Sequence, residues 1–473
     1  MSGDQAVGLA YDFVGKQNHS SARSRQLTAM NATPILPGLS PVGAKPLTAT
    51  FDAGRLSSDG GLIVLREAAR RLGLAEVITG PLCDARERKR VVHTYADMAL
   101  ARMLMISAGY EDCDDIDALR ADPALKLACG RCPESGTDLM SQPTLSRLEN
   151  LAEWRALTRV GLGLMDLFCR SFAHAPDRIV LDIDDTEDAV HGAQQLALFN
   201  AHYDGYCFQP IVIFEATSGK PVAFVLRPGK RPSGEEAARV LRHVIRRIRR
   251  HWPRVEILVR GDGHYGCEAV MAKLEQTGCD YIFGLPTNVR LNEIAGPWRG
   301  LCEMRRKPRD GKVRRFHQFQ HRAGTWSRTR SVIARVEATA FGSDARFVVT
   351  SLNGSGKVLY EKIYCARGRM ENLIKDLKLY TRADKTACHR WEANQFRLFL
   401  HMGAYWLLHT LRRAAPRRSI WRGATFETIR RVFIKIAVRV EEIKSRIRIA
   451  FPASYPHASM LVLLTGSVAA RAP

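Results

Sequence analysis

Four residues with chemically active side chains recur within one stretch that has the pattern of a helix. Arg367, Glu371 and Lys378 follow Tyr364 by 3, 7 and 14 residues. At about 100° per residue, these positions fall on a narrow arc of a helix surface. A carboxylate there can hold a divalent cation, and the arginine and lysine can bind phosphate oxygens. The pattern therefore favours a phosphodiester site over a solvated helix face with loose charge pairing.

Two aspartates upstream lie where predicted strands end. The segment 178–184 alternates like a strand and ends at Asp184, and the short apolar segment 255–260 is followed by Asp262. In an open sheet such ends can lie side by side, and a returning helix can bring Glu371 to the same edge. Three converging carboxylates repel one another unless they are protonated or bound to metal. We therefore predict a site for Mg²⁺ or Mn²⁺, with two ions, that serves an in-line displacement at phosphorus.

The choice among neighbouring acids depends on the strand face. Asp184 is preferred because it continues the face of its strand and stands where the strand breaks. Asp182 points the same way one step deeper, and Asp185 follows directly. Any of these aspartates could instead cap a turn. His264, next to the turn after the second strand, is near enough to assist, but such a histidine is more often structural.

The order of the elements around these acids predicts an α/β fold with a mixed sheet. The order is strand, hairpin, helix, strand, helix, strand, with the first three strands antiparallel and the later ones parallel through helical crossovers. The predicted elements are strand 178–184, hairpin strands 209–216 and 221–226, helix 233–251, strand 255–260, helix 265–276 and strand 279–285.

The charge of the chain indicates a polyanionic partner. The 473 residues include 71 Lys and Arg against 48 Asp and Glu, a formal charge of +23. Lys and Arg number 21 against 8 acids in 360–450, and 12 against 3 in 287–334. An excess spread through folded segments favours nucleic acid. An anionic membrane surface would attract the same charge, but neither segment is a clean amphipathic anchor.

Targeting signals and cysteines predict a cytoplasmic, DNA-associated protein. No apolar run reaches the roughly 18 residues that span a bilayer, and the first residues lack the pattern of a secretion signal. The 11 cysteines are irregularly spaced, which suits reduced thiols. Cys129 and Cys132 form a CxxC pair without a second pair, so ordinary thiols are favoured over zinc.

At this point the chain resembles a known family, the DDE transposases of bacterial insertion sequences. The branch it resembles has a β-rich insertion between the second aspartate and the glutamate, and the resemblance covers roughly residues 55–450. The segments that carry it are Leu181-Asp182-Ile183-Asp184-Asp185-Thr186, Arg260-Gly261-Asp262, the Tyr364/Arg367/Glu371/Lys378 signature, 127–136 and 142–150.

The resemblance implies a ribonuclease-H-like catalytic domain. It also implies that Asp184, Asp262 and Glu371 are metal ligands, and that Tyr364, Arg367 and Lys378 contact DNA phosphates near the cut end. The implied partners are double-stranded DNA with inverted-repeat ends and target DNA, bound by a homodimer or a higher assembly.

Combining the patterns with the resemblance divides the chain into six segments. They are a disordered arm (1–56), a helical DNA-binding or scaffold domain (57–175), the first part of the catalytic domain (176–286), a β-rich insertion (287–358), the second part with the glutamate helix (359–415) and a basic helical tail (416–473).

The insertion is expected to place its arginines toward the cleft. Its aromatics, Trp298, Phe316, Phe319 and Trp326, either stack on an unpaired base or fill a small core, and the core is favoured for any one of them.

Three functions fit these patterns. The first is a transposase that cleaves DNA and transfers strands at inverted-repeat ends. The second is a nuclease of the same fold that only hydrolyses DNA, and the third is a DNA-binding protein that has lost the chemistry. The acid triad favours the first two, and only a strand-transfer assay separates them.

Overall fold

The computed structural model describes residues 36–307 and 311–470. The chain divides into two units after Leu56, and within the described residues these are 36–56 and 57–470. Most of the predicted disordered arm, residues 1–35, lies outside the described residues. Residues 36–55 are largely exposed and contain an isolated bridge between Val42 and Lys45. Because residues 57–473 form one unit, the domain boundaries predicted within that range stay predictions.

The first part of the larger unit is helical, as predicted for 57–175. A short strand, β1 (Leu56–Ser57), precedes it. Its helices are α1 (Leu62–Leu72), α2 (Leu74–Thr79), a 3₁₀ turn (Arg88–Arg90), α3 (Tyr95–Ala108), α4 (Ile116–Leu119), α5 (Pro123–Ala128), α6 (Gln142–Glu149) and α7 (Trp154–Arg170). Thr94 and Asp97 form a capping box that begins α3, where the apolar pattern placed its start.

The centre of the larger unit is an eight-stranded mixed sheet. Its strands are β2 (Arg178–Asp185), β6 (Ile211–Glu215), β7 (Lys220–Val225), β8 (Glu256–Gly261), β9 (Asp280–Leu285), β10 (Lys312–His321), β11 (Arg330–Thr339) and β12 (Gly342–Thr350), in the order β10-β11-β12-β9-β8-β2-β6-β7. The pairs β2–β6 and β6–β7 are antiparallel, whereas β2–β8 and β8–β9 are parallel. The crossover helices are α8 (Gly234–His251) and α9 (Glu268–Gln276). The predicted mixed-sheet topology is confirmed.

Each face of this sheet is covered by helices. Leu181 and Ile183 of β2 belong to the large buried cluster that also contains Leu241 and Ile245 of α8. On the other face, Leu258 packs in a separate buried cluster with residues of the segment that follows β12. This division follows from the alternation of side chains along a strand, and it places α8 on the face opposite Tyr364, the first of the predicted signature residues.

A small second sheet was not predicted. Its strands are β3 (Asp188–Ala189), β4 (Leu198–Asn200) and β5 (Gly205–Phe208), which pair in the order β3-β5-β4 between β2 and β6. The strands are two to four residues long, and several of their side chains are exposed. Such short segments carry too few alternations to give a period.

The insertion differs from the prediction in its first third. Residues 289–305 form a helix, α10 (Val289–Arg305), which Asn288 caps, so the prediction of a β-like stretch is wrong there. The remaining part forms β10 to β12. Because β12 pairs with β9, these strands extend the central sheet.

The arginines and aromatics of the insertion are mostly occupied by other protein groups. Arg330 forms ion pairs with Glu268 and Glu275, and Arg314 binds two glutamates. Trp326 is 4% exposed within the main core, while Trp298 stacks on His317 and Phe316 packs against Tyr360. Arg314 and Arg330 are therefore paired with protein carboxylates, and the expectation that the insertion arginines face the cleft stays a prediction. The core alternative holds for Trp326.

The signature residues lie in one helical run of changing pitch. It consists of α11 (Gly356–Val358), a π-helical segment (Leu359–Tyr364), a 3₁₀ segment (Cys365–Gly368), α12 (Arg369–Lys375) and a second π-helical segment (Asp376–Tyr380). The 3₁₀ segment is wound more tightly than an α-helix, and the π segments are wound more loosely. The assumption of 100° per residue, and the narrow arc that follows from it, therefore fails here.

The C-terminal part closes the core of the larger unit. Helix α13 (Trp391–Ala414) is buried along almost its whole length. It is followed by a 3₁₀ turn (Ile420–Gly423), α14 (Phe426–Ile429), a π segment (Arg430–Ile434), β13 (Val438–Ile443), β14 (Arg446–Ala450) and α15 (Ala458–Ala470). The hairpin of β13 and β14 interrupts the predicted helical tail.

Candidate active site

Asp184 and Asp262 open into the same cavity. Asp184 lies near the end of β2, and Asp262 directly follows β8, the parallel neighbour of β2. Both line a cavity of about 570 Å³, together with Asp185. The sheet order thus brings the two predicted aspartates together at one edge, as the sequence indicated.

Asp184 is held between one cation and two like charges. Its Oδ2 accepts a hydrogen bond from Arg367 Nη2 at 2.7 Å, and its Oδ1 accepts one from the backbone N–H of Asp185 at 3.1 Å. The pKa of Asp184 is raised to about 7, mainly by burial and in addition by the charges of Asp262 and Asp185, against the lowering effect of Arg367. A carboxylate that resists ionisation here would gain from an additional cation.

Asp185 has both of its oxygens engaged by neutral donors. Tyr265 donates from its hydroxyl at 3.0 Å, and the amide of Gln209 donates to the other oxygen. The backbone N–H of His264 donates to Asp262 at 3.0 Å. His264 therefore contacts the second aspartate through its backbone, which agrees with the structural role expected for it.

Asp182 lies below the cavity in a closed ion pair. Its two oxygens bind Arg260 Nε and Nη2 at 2.7 and 2.8 Å, and the carboxylate is fully buried. Arg260 also donates to the carbonyl of Ile363 at 2.7 Å. This pair ties β2, β8 and the signature segment together, one step deeper than Asp184 as the strand face predicted.

Tyr364 and Arg367 face the sheet rather than solvent. Burial raises the pKa of Tyr364. A Cβ at Gly284 would lie 2.8 Å from the Tyr364 hydroxyl and 2.7 Å from the backbone nitrogen of Gly263. Only glycine fits there, because β9, the turn that carries Asp262 and the tyrosine approach one another at that position.

Glu371 and Lys378 occupy different surroundings from Tyr364 and Arg367. Glu371 is exposed, and among the described residues no contact joins its carboxylate to Asp184 or Asp262. Burial raises the pKa of Asp188, and the positive charge of Lys378 offsets a part of this rise. This lysine therefore lies beside the small second sheet. Convergence of the three carboxylates stays a prediction, as do the DNA contacts of Tyr364, Arg367 and Lys378.

The far wall of the cavity was missed by sequence reasoning. It is formed by Phe199, Asn200, Ala201, His202, Tyr203, Gln209, Gly229, Lys230 and Arg231. The exposed Lys230 and Arg231 stand at its rim. The available signal was the cluster of aromatic residues between Asp184 and Gln209, but only the second sheet folds it over the acids.

The donor set suits a hard divalent cation supported by two carboxylates. Within residues 36–307 and 311–470, no group of three or more His, Cys, Asp and Glu side chains is arranged to hold a metal ion. Mg²⁺, however, is commonly bound by one or two carboxylates, with waters and substrate phosphates filling the other positions. Asp184 and Asp262 fit that mode, since both carry oxygen donors at an open cavity.

Comparison with known families decides which enzyme carries this site. Residues 39–472 match the sequence model of a family described as "Transposase DDE domain group 1". The chain belongs to the DDE transposases. It is thus a DNA-cleaving transposase, and the predicted DDE transposase family, mixed α/β fold and transposase function are confirmed.

Solved structures and curated sequences add less to the assignment of this transposase. One similar solved structure is a piggyBac transposase synaptic complex with hairpin DNA, whose sequence is 10% identical to this chain. The alignment covers 80% of this chain and 81% of that chain, and the TM-score is 0.42. A pre-cleavage Mos1 transpososome is 14% identical, with 47% and 68% covered and a TM-score of 0.17. No curated protein sequence matches. The family assignment therefore rests on the sequence match.

Within residues 36–307 and 311–470, none of the helices of this transposase combines the length and apolar character needed to cross a bilayer.

Proposed function

We propose that this transposase cleaves DNA at inverted-repeat ends and joins the freed ends to target DNA, with Asp184, Asp262 and Glu371 as metal ligands. The observation that carries the proposal is that Asp184 and Asp262 share one open cavity with basic residues at its rim. A polyanion entering between Lys230 and Arg231 would bring a phosphate to the two carboxylates.

The metal is Mg²⁺ or Mn²⁺, and two ions complete the site. Bound there, the ions would supply charge stabilisation for the attacking and leaving oxygens of an in-line displacement. Asp184 and Asp262 would hold them from the sheet edge, and Glu371 from the helical run. Glu371 lies four residues after Arg367, whose guanidinium already contacts Asp184, so about one helical turn separates Glu371 from the residue that contacts the first ligand.

Arg367 has two successive partners in this proposal. Without metal, its guanidinium neutralises Asp184. Once a cation takes over that role, Arg367 is free to bind a phosphate oxygen of the DNA end, a geometry that guanidinium suits. Tyr364 and Lys378 contact neighbouring phosphates. The protein acts as a homodimer or a higher assembly that holds two ends together.

A single reaction separates this function from its alternatives. The purified protein is incubated with Mg²⁺, labelled terminal DNA and a target plasmid, and the products are scored for nicks and for joined strands. We expect both. Nicks without joining would identify a nuclease of the same fold, and DNA binding without nicks an inactive DNA-binding protein.

The role of Glu371 is tested by its conservative variant. Glu371→Gln removes one metal charge and little volume, so cleavage should be abolished while binding to the DNA end is nearly unchanged. Glu392→Gln, on the following helix, is the matched control and should cleave normally. Normal cleavage by Glu371→Gln would show that the triad is misassigned.

The phosphate contacts are tested by the salt dependence of binding. Lys378→Ala or Arg367→Ala should weaken engagement of the DNA end. Because each phosphate contact contributes about 0.9 to the slope of log affinity against log salt, each variant should have a slope shallower by about that amount. An unchanged slope would remove that residue from the DNA interface.

A further inference from the structure

Helix α8 carries a line of basic residues along its outer face. Arg239, His243, Arg246 and Arg250 are all exposed. Their spacing places them within about 60° of one another around the helix axis, over a length of about 16 Å. The line therefore forms one continuous surface, which we call the α8 basic stripe.

Three other basic residues of the same helix, Arg247, Arg249 and His251, have structural partners. Arg247 and His251 bind Asp166 of α7, and Arg249 donates to the carbonyl oxygens of Thr277 and Gly278. In the part of the chain that the structure describes, no carboxylate pairs with Arg239, Arg246 or Arg250. Packing of the fold thus accounts for one set of cations on α8 and leaves the stripe unexplained.

The stripe is unfavourable for the isolated helix. Cations four residues apart on a helix repel one another. Burial lowers the pKa of His243, and the positive charges of the neighbouring arginines lower it further. The acids of α8, Glu235 and Glu236, lie in its first turn, where they favour the helix dipole. Glu236 pairs with Arg227, and among the described residues no ion pair joins either acid to the stripe. An arrangement that disfavours its own helix is expected where an external anion compensates it.

We propose that the α8 basic stripe binds the phosphate backbone of double-stranded DNA that extends beyond the cleavage site. The surface is distinct from Tyr364, because that residue packs in the buried cluster on one face of the central sheet, whereas α8 packs in the cluster on the other face. It begins shortly after Lys230 and Arg231 at the cavity rim, so a duplex leaving the cavity can follow α8 outward. The proposal rests on the proposed function, since it assigns further DNA contacts to the same enzyme.

The test compares two variants that lose the same charge. Arg239→Gln/Arg246→Gln/Arg250→Gln removes three stripe cations while keeping residues that favour helices. The control, Arg439→Gln/Arg446→Gln/Arg448→Gln, removes three exposed cations from the β13–β14 hairpin, two of which contact Glu441. Affinity of the full chain for a long duplex of random sequence is measured as a function of salt.

The stripe variant should have a slope shallower by about 2.7, at about 0.9 for each lost phosphate contact. The control should keep the slope of the wild type. Equal reductions in both variants would mean that only net charge matters, and an unchanged slope in the stripe variant would mean that DNA does not contact it; either result overturns the proposal. If the triple variant unfolds, the single variant Arg246→Gln should still lower the slope by about 0.9.

Two further measurements separate this proposal from the catalytic proposal and from binding to a membrane surface. At saturating concentration, the stripe variant should cleave a short terminal duplex at the rate of the wild type. Failure of the catalytic proposal would instead appear as absent cleavage by the wild type itself. Binding to phosphatidylserine vesicles should not differ between the stripe and hairpin variants. Selective loss of vesicle binding with normal DNA binding would identify a membrane surface and overturn the DNA assignment.

Discussion

Two aspartate–arginine pairs lie two residues apart on the same face of β2, and they differ in completeness. Asp182 and Arg260 share two hydrogen bonds, and their side chains are 0% and 6% exposed. Asp184 and Arg367 share one, at 17% and 15% exposure, beside the cavity. The Nε of Arg367 is buried without a hydrogen-bond partner among the described residues.

Strand β2 therefore serves both structure and chemistry, through two pairs that differ in how completely their charges are satisfied. The deeper pair satisfies its charges internally, so removing either partner leaves an uncompensated buried charge. The outer pair is bonded through a single contact and faces a second carboxylate, so its arginine can be displaced by a better cation. We expect the deeper pair to support the fold and the outer pair to support the reaction.

The largest expected effect is on cleavage when an outer carboxylate is neutralised. Asp184→Asn or Asp262→Asn should lower the cleavage rate by about 10⁴-fold, or ~5 kcal/mol, because metal ions contribute several kcal/mol to such reactions. The measurement is single-turnover cleavage of labelled terminal DNA with Mg²⁺. Asp185→Asn is the control and should retain most activity, since Tyr265 and Gln209 hold its side chain. Equal losses in all three variants would erase the distinction between Asp184 and its neighbour.

The next effect is on stability when the deeper pair is broken. Asp182→Asn should lower the free energy of unfolding by about 3–5 kcal/mol, because Arg260 would be left buried without its counter-charge. Denaturant unfolding of the metal-free protein measures this. Asp184→Asn should cost clearly less in the same experiment. If the two variants lose equal stability, the pairs do not differ in the way proposed.

A smaller effect is expected at the arginine of the outer pair. Arg367→Gln should lower cleavage about 10- to 100-fold, or ~1.4–2.7 kcal/mol, with little change in unfolding, because the arginine contacts the DNA phosphate but is not a metal ligand. Arg260→Gln should show the reverse pattern, with a large loss of stability. A stability loss at Arg367 as large as that at Arg260 would contradict the comparison.

The last effect, the smallest when counted per pH unit, concerns a third buried aspartate, which has no arginine partner among the described residues. Asp188 accepts a hydrogen bond from the Thr386 hydroxyl at 2.5 Å, and burial raises its pKa to about 7. Its folded-state pKa lies above the unfolded value of about 3.9. The folded protein therefore keeps a proton that the unfolded chain releases, and this stability is present below about pH 4 and lost as pH rises through about 7.

Asp188→Asn removes that dependence. Relative to the variant, the wild type should lose at most ~1.4 kcal/mol of unfolding free energy per pH unit across this window. Unfolding of both proteins at about pH 5 and about pH 8 measures the difference. A difference that is independent of pH would show that Asp188 is ionised in the folded protein throughout.

Much of the fold and part of the site could be predicted from local patterns. Alternation over 178–184 and the apolar segment 255–260 identified two strands whose ends carry Asp184 and Asp262, and the order of strands and helices predicted which neighbours are parallel. The predicted helix 233–251 begins at Ser233, whose side chain caps α8 by bonding to the backbone three residues later. These features depend on residues close together in sequence.

The remaining features of the site depend on residues far apart in the chain, which meet only in the tertiary structure. Asp184 and Arg367 are separated by 183 positions, and their contact follows from how the helical run packs on the sheet. The changing pitch of that run turns Arg367 toward the sheet and leaves Glu371 exposed, and the short strands β3 to β5 become a cavity wall only by pairing with one another. Local periodicity carries no information on such pairings, because their free energy comes from burial and hydrogen bonding between segments that meet only in the folded chain.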